Sequence, residues 1–384
     1  MIEKKIISLI KSLYPNNSRI LLHEPTFISN ESFLLNDCLN KGFVSSAGEY
    51  LNKLKKEISS ITKSKYVALT SSGTAALHLS LLANNIGHNN EVITQPFSFV
   101  ATINSIIYTG AKPIFVDIDE DDLGLSPEKL NEFLKKNTYI NKSGLCINKS
   151  TKNEIKSVIS CDLLGSAAKQ NQIKKICKKF NLIYISDSSE ALGVKYSNNI
   201  HAGSESDLSV LSFNGNKIIT TGNGGAVYSN NKKIIDKINH LASTSKVDHE
   251  YEFIHNQLGY NYRMSNINAA LGFAQIKNLK KIIRIKKEIN QRYKDFFSNT
   301  KYRIFEYKKN IKSNYWLNSL IVNSKKTKLN TINILLKNNI MVRPTWFPLC
   351  DLNYCKSYQR FYVENTYKAY DTMISLPSGI TNVT

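Results

Sequence analysis

The stretch Leu208-Ser209-Val210-Leu211-Ser212-Phe213-Asn214-Gly215-Asn216-Lys217-Ile218-Ile219-Thr220-Thr221-Gly222-Asn223-Gly224-Gly225 decides how this chain is read. Its first four residues form a short apolar run of strand length. A polar, glycine-rich turn carrying one lysine follows. Strands buried on both faces belong to mostly parallel sheets covered by helices. In such sheets ligands bind outside the carboxyl ends of the strands. The lysine therefore falls where a site is expected, and a solvated surface lysine accounts poorly for the Thr-Thr and glycines behind it.

Further runs of the same kind lie upstream. They are Tyr66-Val67-Ala68-Leu69, Glu91-Val92-Ile93, Pro113-Ile114-Phe115-Val116, Ser157-Val158-Ile159-Ser160 and Leu182-Ile183-Tyr184-Ile185, most of them bounded by Gly, Asp, Ser or Asn. Helical stretches separate them; after Gly73-Thr74, residues Ala75, Ala76, Leu79 and Leu82 fall on one stripe. Strands alternating with helices predict an α/β fold. Residues 265–298 predict one long helix or two, with Ile267, Ala270, Leu271, Ala274 and Leu279 apolar. Beyond about residue 300 the pattern turns to shorter strands and one helix, Leu329 to Lys337. The expected division is a large α/β domain over 1–262, and the long helix with a small C-terminal α/β domain over 263–384.

Composition narrows the class. With 384 residues, 42% hydrophobic and 21% charged, the chain is of ordinary globular make-up. No apolar run approaches the ~18 residues of a membrane span. The opening MIEKKIISLI turns charged again at Lys11, which leaves no signal-peptide core, so a cytoplasmic protein is expected. The net charge of +21 raises the alternative of a basic nucleic-acid or regulatory binder. Lys and Arg are spread along the chain, however, in short clusters such as Lys174-Lys175 and Lys178-Lys179 that suit solvated helix faces. The six cysteines, at 38, 146, 161, 177, 350 and 355, contain no CxxC, and the histidines no HExxH. Reduced thiols and no metal are expected.

Two more strand ends carry chemistry. Thr70-Ser71-Ser72-Gly73-Thr74 opens a helix with small residues and free N–H groups, an arrangement that caps a helix and also binds anions. Asp187 ends a buried apolar strand, where a carboxylate is costly unless paired; alone it also suits a helix cap. Lysine, acid and anion site together are what pyridoxal phosphate requires: a Schiff-base amine, a partner for the pyridinium nitrogen and a phosphate cradle. No GxxxxGK[ST] is present, and no GxGxxG follows the first strand.

Collinear motifs then carry a resemblance. Ser72-Gly73-Thr74-Ala75-Ala76-Leu77, Pro113 to Asp117, Asp187-Ser188-Ser189-Glu190-Ala191-Leu192-Gly193, Phe213 to Gly225, Gly259-Tyr260-Asn261-Tyr262-Arg263-Met264, Arg343-Pro344-Thr345-Trp346 and Ser375-Leu376-Pro377-Ser378 occur in order. Together they resemble the DegT/DnrJ/EryC1/StrS family of nucleotide-sugar aminotransferases. Leu22-His23-Glu24-Pro25, Gly42-Phe43-Val44-Ser45-Ser46 and the Asn-Gly-Asn before Lys217 resemble the subgroup aminating C4 of UDP- or GDP-linked 4-keto-6-deoxy sugars, which serves bacillosamine, legionaminic acid and perosamine pathways.

The resemblance implies a fold-type-I, aspartate-aminotransferase-like domain with a mostly parallel seven-stranded sheet, pyridoxal 5'-phosphate as cofactor and L-glutamate as donor. It implies that Lys217 binds the cofactor covalently and that Asp187 pairs with the ring nitrogen. Glu190 would lie near the phenolic oxygen, Gly73, Thr74 and Ser212 would bind the phosphate, and Phe99 would stack on the ring. Asn261 would reach the phosphate from the neighbouring subunit of a homodimer with shared active sites, and Arg263 would meet the donor carboxylate. Taken alone, Phe99 also suits core, Asn261 a turn, Glu190 a surface helix and Arg263 an ion pair.

The chain departs from the family pattern at Asp162, where relatives have His, at Lys169, where an acid is common, and at Ser188-Ser189, where alanines are usual. Relatives also carry a last helix beyond the Ser-Leu-Pro-Ser stretch, so an ending at Thr384 implies a short natural chain or a missing end. A C3 aminotransferase stays open as an alternative. The sugar 3-dehydratase branch has His in place of the lysine, and Lys217 speaks against it.

Overall fold

The apolar runs are the strands of one sheet. In the computed structural model, which describes residues 2–381, the central order is Tyr66–Thr70, Gly225–Ser229, Leu208–Ser212, Ile183–Asp187, Glu154–Cys161, Asn90–Thr94, Lys112–Val116. All neighbours in this order pair parallel except Gly225–Ser229, which is antiparallel to both strands beside it. Sequence runs signal six of the seven. Gly225–Ser229 is hidden because it starts inside the glycine-rich turn. Three short strands extend the sheet to ten: Arg360–Phe361 beside Lys112–Val116, and the hairpin Thr138–Ile140 with Cys146–Asn148.

Helices cover both faces. On one, Ala76, Leu79 and Leu81 of helix Gly73–Ala83 pack with Ile106, Ile235 and Ile238 over Val92, Ile159, Ile185 and Val210. On the other, Leu130, Phe133 and Ile173, from helices Pro127–Asn137 and Gln170–Lys179, pack on Ile93, Val116 and Val158. Burial on both faces is what the unbroken apolar character of the strands demands.

The stretch 265–298 forms two helices, Asn266–Lys277 and Leu279–Phe297, which meet at Asn278. The C-terminal part adds an antiparallel sheet ordered Arg303–Ile304, Asn318–Ile321, Met373–Leu376, Arg343–Pro344, with helix Lys325–Lys337 against it. Two elements cross the boundary expected at 262/263. Helix Ile2–Leu13 buries Ile6, Ile10 and Leu13 against Ile289, Tyr293, Leu320 and Ile374, and Arg360–Phe361 lies in the large sheet. Among the described residues no helix is long and apolar enough to cross a membrane.

Candidate active site

A cavity of about 300 Å³ opens at the carboxyl ends of the central strands. Its lining brings together Gly73, Thr74, Phe99, Asp187, Glu190, Ser212 and Lys217, seven of the nine residues singled out from the sequence. Asn261 and Arg263 line other ground. Asn261 is exposed and bridges to Ser243; Arg263 lines a separate cavity with Lys55 and His240.

The anion end is built on two close approaches. Ser72 caps helix Gly73–Ala83, its Oγ accepting from the Ala75 N–H at 3.0 Å, which leaves the first N–H groups of the helix without intrahelical partners. A Cβ on Gly73 would stand 2.8 Å from the Cβ of Ser212 and fill the space between helix start and strand end. A Cβ on Gly225 would stand 2.5 Å from the Ser72 carbonyl oxygen. Backbone this near to a helix N-terminus suits a phosphate.

Asp187 ends its strand largely buried, with both carboxylate oxygens held. Thr102 Oγ donates to Oδ2 at 2.8 Å, and Ser189 donates to Oδ1 through Oγ at 2.5 Å and N–H at 3.2 Å. Its negative charge is therefore compensated and aimed. Glu190 is buried, and that burial pushes its pKa up to about 7, against the opposing pull of Lys217 and the Leu164 N–H at 2.8 Å. Lys217 Nζ lies 3.5 Å from Glu190 Oε1 and 4.4 Å from the centre of the Trp316 ring. Phe99, 54% exposed, meets Trp346 edge-on at 6.1 Å.

The departures from the family pattern have partners. Asp162 accepts hydrogen bonds from Ser188, Ser186, Gln170 and the Ala168 N–H, and burial pushes its pKa up to about 6. Ser188 and Ser189 thus serve Asp162 and Asp187 respectively. Lys169 is paired with Asp119. Sequence reasoning gave no site role to Thr102, Trp316 or Trp346, the last of them noted only within the Arg343-Pro344-Thr345-Trp346 motif. Thr102 lies three residues after Phe99, and a threonine one helical turn on was a usable signal. The tryptophans come from loops of the C-terminal part, where no periodicity points inward.

The missing side chain at Gly73, the two-handed grip on Asp187 and a lysine confined in the same cavity suit pyridoxal phosphate. Fold and site define a fold-type-I pyridoxal phosphate enzyme. The description "DegT/DnrJ/EryC1/StrS aminotransferase family" matches residues 26–381, and the chain belongs to that family. It is a sugar aminotransferase, with pyridoxal phosphate as its cofactor. It is 32% identical over 342 residues to a GDP-perosamine synthase of Escherichia coli O157:H7, covering 89% of this chain and 88% of the relative. It is 33% identical over 287 residues to the UDP-4-amino-4,6-dideoxy-N-acetyl-beta-L-altrosamine transaminase of Campylobacter jejuni subsp. jejuni serotype O:23/36 (strain 81-176), covering 73% and 72%. Among solved structures, Helicobacter pylori PseC, an aminotransferase involved in the biosynthesis of pseudoaminic acid, superposes with a TM-score of 0.83 at 25% identity, over 94% of this chain and 93% of that one.

Proposed function

We propose that the enzyme transfers the amino group of L-glutamate to C4 of a nucleotide-linked 4-keto-6-deoxy sugar, UDP- or GDP-bound, in bacterial glycan synthesis. One observation carries the reading: Lys217, Asp187, Glu190 and a helix N-terminus meet in a single cavity. The similarity to one GDP-sugar and one UDP-sugar enzyme supports it.

When bound, the cofactor supplies an electron-accepting ring next to the carbon that carries the amino group. Lys217 would hold it covalently; once freed, its Nζ would be the general base for the proton on the donor's α-carbon. Asp187, its carboxylate fixed by Thr102 and Ser189, would pair with the ring nitrogen. Glu190 would lie by the phenolic oxygen, and Phe99 would stack on the ring. Gly73, Thr74 and Ser212 would bind the phosphate with N–H and hydroxyl donors.

Asn261 and Arg263, away from their own cavity, act in the site of a second copy, Asn261 at the phosphate and Arg263 at the donor carboxylate. The neighbouring segment supports a homodimer, since it exposes Tyr251, Phe253 and Leu258 each by more than three quarters. Six buried free cysteines suit a reducing, cytoplasmic setting.

Absorbance between 300 and 500 nm, before and after borohydride, is the test. A yellow band that bleaches, with a phosphopyridoxyl adduct on the peptide carrying Lys217, is expected. Lys217→Ala should lose the adduct and all amino transfer. Wild-type turnover in that variant sinks the assignment. Product NMR from UDP- and GDP-linked keto sugars then separates C4 from C3 amination.

A further inference from the structure

The freed Lys217 amine is poorly provided for by polar partners. Its side chain is 11% exposed, and among the described residues its one hydrogen-bond partner is Glu190 Oε1 at 3.5 Å, at the long limit of such a bond. An ammonium with so little water must find other compensation. The indole of Trp316 offers it: Nζ lies over that ring, 4.4 Å from its centre. A cation over a tryptophan face at that range is attracted by the ring quadrupole, more strongly where water is excluded.

The ring is held for this contact from several sides. Trp316 Nε1 donates to the carbonyl oxygen of Asn216, the residue before the lysine, at 2.7 Å. Its backbone N–H donates to Asn314 Oδ1 at 2.9 Å, and its carbonyl accepts from Lys286 Nζ at 3.0 Å. Asn314 in turn donates to the carbonyls of Glu190 and Leu192, at 2.9 and 3.0 Å. One loop thus ties together the two segments that carry Lys217 and Glu190. It also pays a conformational penalty: Tyr315, just ahead of the tryptophan, sits at φ +53°, where a bulky residue is strained. Gly165, at φ +85°, leaves the room the loop needs; a Cβ there would stand 2.8 Å from the Trp316 nitrogen.

We propose that Trp316 is a positioning residue for Lys217: its indole face receives the ammonium whenever Nζ is not covalently engaged, and keeps it in the cavity beside Glu190. The inference rests on the reading of Lys217 as the reactive lysine. It gives the C-terminal part, which also supplies Trp346 to the cavity, a direct hold on the reactive lysine.

The test uses the full chain stripped of cofactor, so its readouts are independent of turnover. The sequence holds two tryptophans, so Trp346→Phe leaves Trp316 as the sole indole emitter. In that background Lys217→Met should visibly change the intensity of Trp316 emission; unchanged emission overturns the proposal. Competitive acylation with acetic anhydride, read by mass spectrometry against surface lysines, is the second arm. Trp316→Leu should raise labelling of Lys217 roughly 3- to 30-fold, the range from an exposed to a desolvated cation–π contact. Trp316→Phe, which keeps a face but loses the bond to Asn216, should stay within about twofold of wild type. Wild-type labelling in a folded Trp316→Leu variant overturns the proposal. Should that variant fail to fold, the emission arm and Trp316→Phe decide, and tenfold excess labelling in Trp316→Phe also overturns it. Borohydride trapping on a lysine other than Lys217 would instead remove the functional reading, an outcome that neither arm mimics.

Discussion

Asp162 stands one residue past its strand, buried among Ser186, Ser188 and Gln170. Burial outweighs those donors and raises its pKa from 3.8 to about 6. The folded state therefore holds this proton more tightly than the unfolded chain does. Its contribution to stability is fully present below about pH 4 and is lost as pH rises through about 6. Asp162→Asn should flatten the pH dependence of Tm across that window, the wild type losing a few degrees relative to the variant between pH 4 and pH 7. Parallel curves for the two proteins contradict this. At this scale the sequence is legible where a polar residue ends an apolar strand, as with Asp187 and Ser212, or sits in the turn just beyond one, as with Lys217. Trp316 escapes because its place depends on a loop anchored a hundred residues away, at Asn216.

Among elements, the pairing of Gly225–Ser229 with Tyr66–Thr70 is the most constrained. Thr70 faces Gly225 in register, and the glycine runs against the backbone of Ser72 and Gly73. No side chain can yield there. Gly225→Ala should cost about 1–3 kcal/mol, as overpacking does, and should weaken cofactor retention on gel filtration together with Tm. A variant equally stable and equally yellow would refute the close approach. Six of the seven buried strands of the central sheet are readable because each carries an apolar run; Gly225–Ser229, equally buried, is masked by the glycines before it. The two-residue strands Arg303–Ile304, Ile311–Lys312 and Arg360–Phe361 are not readable, since two residues carry no period. The break between the helices at Asn278 likewise has no Gly or Pro to announce it.

For the whole molecule, the exposed Tyr251, Phe253 and Leu258 bear on assembly. On the proposed homodimer, replacing Phe253 and Leu258 by Asp should halve the mass seen by sedimentation and, if Asn261 serves a second site as proposed, lower cofactor affinity as well. Full-mass particles from that variant would argue against this face. Fold class was open to the sequence because alternation of strand and helix is local. The partner of helix Ile2–Leu13 was not, because that helix is covered by residues near the opposite end of the chain.

That last contact sets a timetable for the newborn chain. The ribosome makes Ile6, Ile10 and Leu13 first, yet their cover includes Leu320 and Ile374. At ~5–20 residues per second, the apolar stripe stays bare for roughly 20–70 s before its cover exists. The edge strand Arg360–Phe361 is equally late to the sheet it completes. Docking of the first helix is therefore complete only once Ile374 has been made, and a nascent chain halted near residue 300 leaves part of that apolar stripe open to its neighbours.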